Sequence, residues 1–113
     1  MKVVFISCPL SGDIKQNIKK SFDNCKYVCN NGHIPISPNA MFADSILDCS
    51  KKTEWRLGFE MGIELLKRCD EIWVFGDIIS YGMKLEIEKA KELNIKIKYI
   101  KEVNNGSIAK QIF

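Results

Sequence analysis

The chain is 113 residues long, with 46% apolar and 27% charged residues. That length fits one domain, residues 1–113, able to hide roughly two-thirds of its unfolded surface, and the balance excludes a disordered, collagen-like or coiled-coil chain. Seventeen basic against fourteen acidic residues leave a net charge of +3, spread along the chain, which gives no ground for a nucleic-acid polymer or a membrane surface as partner.

No apolar run approaches the roughly 20 residues that span a bilayer. Val3-Val4-Phe5-Ile6 is broken by Ser7, so the start reads as a strand rather than a targeting segment. A soluble, cytoplasmic protein is expected. The five cysteines, Cys8, Cys25, Cys29, Cys49 and Cys69, agree with a reducing compartment, because an exported disulfide framework normally uses an even number. Cys25 and Cys29, four apart on a helix face, read either as half a metal site or as reduced, packed thiols. With a single histidine, His33, and no C-x-x-C pair to complete a site, no metal is expected.

Lys2 to Ile6 is a β-branched and aromatic run, the pattern of a buried strand. Turn residues follow from Ser7 to Gly12. From Asp13, a plausible N-cap, the period changes to helical, with Ile14, Ile18, Phe22, Cys25 and Cys29 expected inward and Asn31-Gly32 as the stop. His33 to Ile36 reads as a short strand, and Pro35, which cannot donate to a ladder, places it at an edge.

Ser37 to Ser50 has no clear period and reads as a long loop. A second helix is expected from about Lys51 to Arg68, with Trp55, Phe59, Gly62, Leu65, Leu66 and Cys69 on one face. Gly58 and Gly62 lie one turn apart within it. Each costs about 1 kcal/mol against alanine, so another helix, a partner chain or a ligand should approach that face closely. These glycines, with Trp55 and Phe59, exceed what one small sheet covers, and a homodimer or homotetramer is expected.

Ile72 to Phe75 is apolar without alternation, as in a central strand covered on both faces. After the Gly76–Gly82 loop, Ser80 caps a third helix carrying Met83, Ile87, Ala90 and Leu93 inward. Ile95 to Ile100 alternates as a half-exposed strand, and a short helix is expected from Val103. The β-α-β-α-β-α-β order makes this an α/β fold: one three-layer, Rossmann-like domain with a mostly parallel four- to five-stranded sheet, order about 2-1-3-4. Ligands of such sheets bind where the strand order reverses, here beside the loops at 7–12 and 76–82.

The first loop offers Ser7, Ser11 and Gly12 before a helix N-terminus, an arrangement that suits an anion or equally serves a tight turn. Neither G-x-G-x-x-G nor G-K-[ST] occurs, so NAD and ATP sites are not expected, nor any other cofactor. In the second loop's helix, Glu86 flanks the Met83/Ile87/Ala90 stripe. It reads as a partly solvated nucleophile or general base, or as an ordinary boundary glutamate.

Three segments, Val4–Gly12, Gly32–Pro38 and Cys69–Ile87 with Gly82-Met83-Lys84-Leu85-Glu86-Ile87, resemble the nucleoside 2-deoxyribosyltransferase-like superfamily, in its branch of small domains of unknown function. The resemblance runs from Val3 to about Ile100. It implies cleavage of the N-glycosidic bond of a nucleoside or nucleoside 5′-monophosphate, by hydrolysis or sugar transfer, with Glu86 attacking the anomeric carbon. It implies substrate contacts from Ser7, Pro9, Ser11 and Gly12 of the first loop and from Asp77, Ser80 and Gly82 of the second. Serine at position 80, where typical deoxyribosyltransferases have aspartate, favours a monophosphate, since a hydroxyl at a helix N-terminus accepts a phosphate that a carboxylate repels. Asn39 and Phe42 fall where relatives cover the base, and Phe42 or Met41 either stacks on it or anchors the loop.

Two departures stand out. Gly62 occupies the position of an aspartate that holds sugar hydroxyls in family enzymes, with Arg56, Glu60 and Glu64 as possible substitutes. The tail offers Tyr99, Asn104 and Phe113 for the residue that relatives take from a neighbouring subunit. A non-catalytic module that binds a nucleotide-derived metabolite is therefore the alternative, and a purely oligomer-building unit a third reading.

Overall fold

The computed structural model describes residues 1–104 and 107–110. Four parallel strands, β1 (Val3–Ser7), β2 (Ile34–Ile36), β3 (Glu71–Phe75) and β4 (Lys96–Ile100), form one sheet in the order β2-β1-β3-β4. The expected order is therefore found, with all four strands parallel. β1 and β3 pair from Val4↔Glu71 to Ser7↔Val74, and β2 holds the edge that Pro35 assigned to it.

Side-chain alternation on the central strands builds two cores. Val4, Ile6, Trp73 and Phe75 face helix α1 (Ile14–Asn30), joined there by Tyr27, Val28 and Ile100. Phe5, Ile72 and Val74 face the other way, toward α3 (Lys52–Leu66) and α4 (Tyr81–Glu92), where they meet Leu66, Met83, Ile87 and Ala90. The period of two along each strand thus distributes apolar groups to both layers.

Asp13 caps α1 as the sequence indicated, its side chain accepting from the Gln16 N–H. The buried face of α1 is not the expected stripe. Phe22 and Cys29 are exposed, while Ser21, Asn24, Tyr27 and Val28 are buried. Tyr27 meets the rings of both Trp73 and Phe75 near 6 Å, and the Ser21 hydroxyl lies 3.4 Å from the Cys8 sulfur. Packing onto aromatic strand residues and a polar loop rotated the helix away from its most apolar line. Cys29 is accordingly a surface thiol, not a packed one.

Three further expectations change. The 37–50 segment begins with a short helix, α2 (Pro38–Met41), whose first turn Ser37 caps. Leu93, expected inward, is the half-exposed C-cap of α4. The tail forms no helix at Val103. Instead β5 (Glu102–Asn104) pairs antiparallel with β6 (Ser107–Lys110), and Val103 joins the α1-side core. Tyr99 is an exposed residue of β4, Asn104 ends β5, and Phe113 lies outside the described residues. No helix among the described residues is long and apolar enough to cross a membrane.

The amino end of the sheet is tied by a buried carboxylate. Glu71, 6% exposed, accepts from Lys2 Nζ at 2.5 Å and from Trp73 Nε1 at 2.9 Å. The Lys2 hydrogen bond holds the Glu71 carboxyl below its ordinary value of 4.5. A depressed carboxyl stabilises the fold above its unfolded value and loses that contribution as pH falls through the folded one. Melting curves between pH 7 and pH 3 are expected to fall less steeply for Glu71→Gln than for the parent, with Glu71→Gln about 1–3 kcal/mol less stable at pH 7.

Candidate functional site

The carboxyl ends of β1 and β3 lie side by side, and the chain leaves them toward opposite faces: from β1 into α1, from β3 into α4. Ser7, the last residue of β1, is fully buried, and its Oγ donates to Glu86 Oε1 at 2.6 Å. Glu86 reaches this point because of where α4 starts. Ser80 caps the helix, accepting from the Met83 N–H at 3.3 Å, and the 83/87/90 stripe then packs on the sheet. A residue three beyond Met83 stands at the inner edge of that stripe, facing the end of β1.

Beside Glu86 opens a cavity of about 320 Å³, at the small end of the range for small-molecule sites. Its walls are largely apolar. Trp55 and Phe59 of α3 stack with ring centres 5.5 Å apart and planes 7° from parallel, and Phe42, Pro38 and Met83 contribute further apolar surface. Glu86 is the one charged side chain among the described residues lining it. Burial in this setting raises the Glu86 carboxyl from 4.5 to about 7, against the opposing pull of the Ser7 hydrogen bond. The carboxyl is thus poised between its neutral and ionised forms near neutral pH, the condition that suits an acid, base or nucleophile. Cys8 also lines the cavity, but burial raises its thiol, so it stays protonated and unreactive.

The close approach to Gly58 and Gly62 comes from the chain itself. A Cβ on Gly58 would stand 3.2 Å from Leu47 Cδ1, and one on Gly62 would stand 3.3 Å from Pro38 Cγ. The segment expected as a loop is therefore a roof seated on the glycines of α3. Asn39 pins it to the first loop by donating to Cys8 O at 3.1 Å and Pro9 O at 3.4 Å. This removes the grounds on which the α3 face was assigned to an oligomer contact: Trp55 and Phe59 line the cavity, and the glycines are covered from within.

Of the residues singled out in the sequence, Glu86, Ser11, Asn39, Phe42, Ser80 and Gly82 converge on the cavity. The others lie elsewhere. Ser7 is fully buried, outside the cavity lining, with its hydroxyl engaged by Glu86. Pro9 and Asp77 line a second depression of about 220 Å³ with Asn17, Lys20 and Lys101, and Asp77 pairs with Lys101 at 3.3 Å. Gly12 is an exposed turn residue at φ +99° and lines neither cavity. Trp55 and Phe59 escaped the sequence reading as site residues, although two glycines on their own helix face already marked it as a place of close approach.

The Ser7–Glu86 pair can be tested without a substrate. A carboxyl raised in the folded state destabilises it progressively as pH climbs from the unfolded value toward the folded one. Glu86→Gln is expected to leave the melting point unchanged at pH 4 and to stabilise the protein at pH 8 by about 3 kcal/mol. Ser7→Ala removes a donor to the ionised form and is expected to move the Glu86 titration, followed by carboxyl NMR, above 7.

A family model described as a domain of unknown function (DUF7768) matches residues 2–100. No curated protein matches this chain. Among solved structures, a 2-deoxyribosyltransferase from the psychrotolerant bacterium Bacillus psychrosaccharolyticus superposes with a TM-score of 0.68. The match covers 88% of this chain and 72% of that one at 15% identity, which establishes a distant relationship of fold.

Proposed function

We propose that this chain, which belongs to the DUF7768 family, cleaves the N-glycosidic bond of a nucleoside or nucleoside 5′-monophosphate by hydrolysis or sugar transfer. The observation that carries this reading is the half-buried Glu86 carboxyl, held by Ser7 at the wall of a cavity of about 320 Å³. The distant fold relationship to a 2-deoxyribosyltransferase supports it.

In this reading Glu86 is the nucleophile. Ser7 fixes Oε1, and Oε2 attacks the anomeric carbon. The bond from that carbon to the base nitrogen breaks, its electron pair leaves with the base, and the base takes up a proton. The resulting glycosyl ester is opened by water, giving free sugar, or by the nitrogen of a second base, giving a new nucleoside; either step returns Glu86 as a carboxylate. Ser11, Asn39, Phe42, Ser80 and Gly82 are the proposed substrate neighbours, with the aromatic side chains covering the base. An ionised Glu86 is required for attack, so the rate rises with pH through the Glu86 titration near 7.

The test is release of free base from a panel of nucleosides and 5′-monophosphates, followed by chromatography at high protein concentration. The parent is expected to release base with an acidic limb near pH 7, and Glu86→Ala is expected to lose about a hundredfold or more in rate. Acid-quenched protein is expected to carry the sugar mass on Glu86. Equal release by parent and variant across the whole panel overturns the proposal.

A second reading, a binding module without turnover, draws on the α3 wall, where Gly62 offers no side chain to a sugar. A ligand at about 100 times its dissociation constant adds roughly 2.7 kcal/mol of stability. A strong thermal shift with no base release selects this reading over the first.

A further inference from the structure

The face of α3 that lines the cavity carries Trp55, Gly58, Phe59 and Gly62, four positions at helical spacing with no polar side chain among them. Arg56, Glu60 and Glu64 point elsewhere. All three are exposed, none lines the cavity, and Glu64 is engaged by Lys67 and Arg68. Position 62 also has little room for a longer side chain, because Pro38 Cγ would stand 3.3 Å from its Cβ. Pro38 is held there by the Ser37 cap and by the Asn39 hydrogen bonds to the first loop. Of the polar groups left at the cavity, Asn39 donates to backbone oxygens and Ser80 accepts from the Met83 N–H, while Ser11 and Tyr81 are exposed residues that keep water as a partner.

We infer that, within the reading of Glu86 as the reacting group, α3 recognises the flat base by stacking and leaves the sugar hydroxyls unread, so that the substrate is an uncharged nucleoside accepted with or without hydroxyls at its 2′ and 3′ carbons. This departs from the monophosphate that Ser80 suggested in the sequence. A phosphate dianion would enter a cavity whose described lining holds a carboxyl and no cation, and like charges repel strongly where water is excluded. Trp55 and Phe59, stacked on each other in the cavity wall, instead offer aromatic surface on which a base can stack.

The sugar argument rests on an asymmetry of recognition. A site built to hydrogen-bond a hydroxyl rejects the analogue lacking it by about 10⁴–10⁵, because its own polar groups are left unpaired, whereas an apolar wall discriminates far less. The α3 wall has no polar group to strand.

Binding is measured by calorimetry on Glu86→Gln, which keeps the cavity but not the reaction, with the ribo-, 2′-deoxyribo- and 2′,3′-dideoxyribonucleoside of one base. The three dissociation constants are expected to agree within about threefold. Trp55→Leu in the same background is expected to weaken all three about tenfold or more, and Trp55→Phe, the more conservative change, to weaken them less. For the parent protein, the nucleoside 5′-monophosphate is expected to compete for base release about tenfold or more less effectively than the nucleoside. The inference is overturned if the dideoxy compound binds about tenfold more weakly than the ribonucleoside, if both Trp55 variants bind as the parent does, or if the monophosphate competes better. Those failures leave the Glu86 chemistry standing. Absence of binding by every nucleoside overturns both this inference and the nucleoside reading beneath it.

Discussion

One hydrogen bond, from the Ser7 hydroxyl to the Glu86 carboxyl, joins the end of the first strand to the last helix across 79 residues of sequence. It spans the place where two adjacent strands send the chain to opposite layers, which in parallel sheets leaves a crevice. A carboxyl drawn into such a crevice loses water and needs a donor in compensation. Ser7 is a donor small enough to end a fully buried strand, and its single hydrogen bond opposes the effect of burial without cancelling it. The raised carboxyl of Glu86 follows from that imbalance.

The apolar walls and the raised carboxyl are two aspects of the same arrangement. Aromatic rings and Pro38 exclude water, which makes the charged form of Glu86 costly and also shapes a cavity suited to a flat ring. The roof depends on Gly58 and Gly62, because a larger residue at either position would press on Leu47 or Pro38. Glycine weakens the α3 helix locally, and the roof's close seating accounts for its presence there. At the opposite end of the strands, Glu71 experiences the reverse balance. It is paired with Lys2 and Trp73, and its carboxyl is held low. Two glutamates in one small fold are thus shifted in opposite directions, Glu71 downward by its partners and Glu86 upward by the loss of water.

Much of the layout was readable from spacing. Asp13 and Ser80 cap the helices they were expected to cap, Pro35 marks an edge strand, and the apolar run at Ile72–Phe75 is the central strand. These features depend on local rules, cap chemistry and side-chain period, which survive any tertiary arrangement. The inward face of α1 was misjudged because Tyr27, packed against the rings of Trp73 and Phe75, outweighs Phe22. The tail was misjudged because Val103 is held extended by the core it joins, a preference its neighbours in sequence do not express.

By itself the sequence determined the alternation of strands and helices, hence the parallel sheet and its reversal point, and it placed Glu86 beside that point through the Ser80 cap. Only the tertiary structure decided which residues surround the carboxyl. Ser7 is buried against Glu86, Asp77 and Pro9 line another depression, and Trp55 and Phe59 form cavity walls. Periodicity records which face of an element avoids water, whereas a cavity wall is made where faces of distant elements fail to meet, and that gap belongs to no single element.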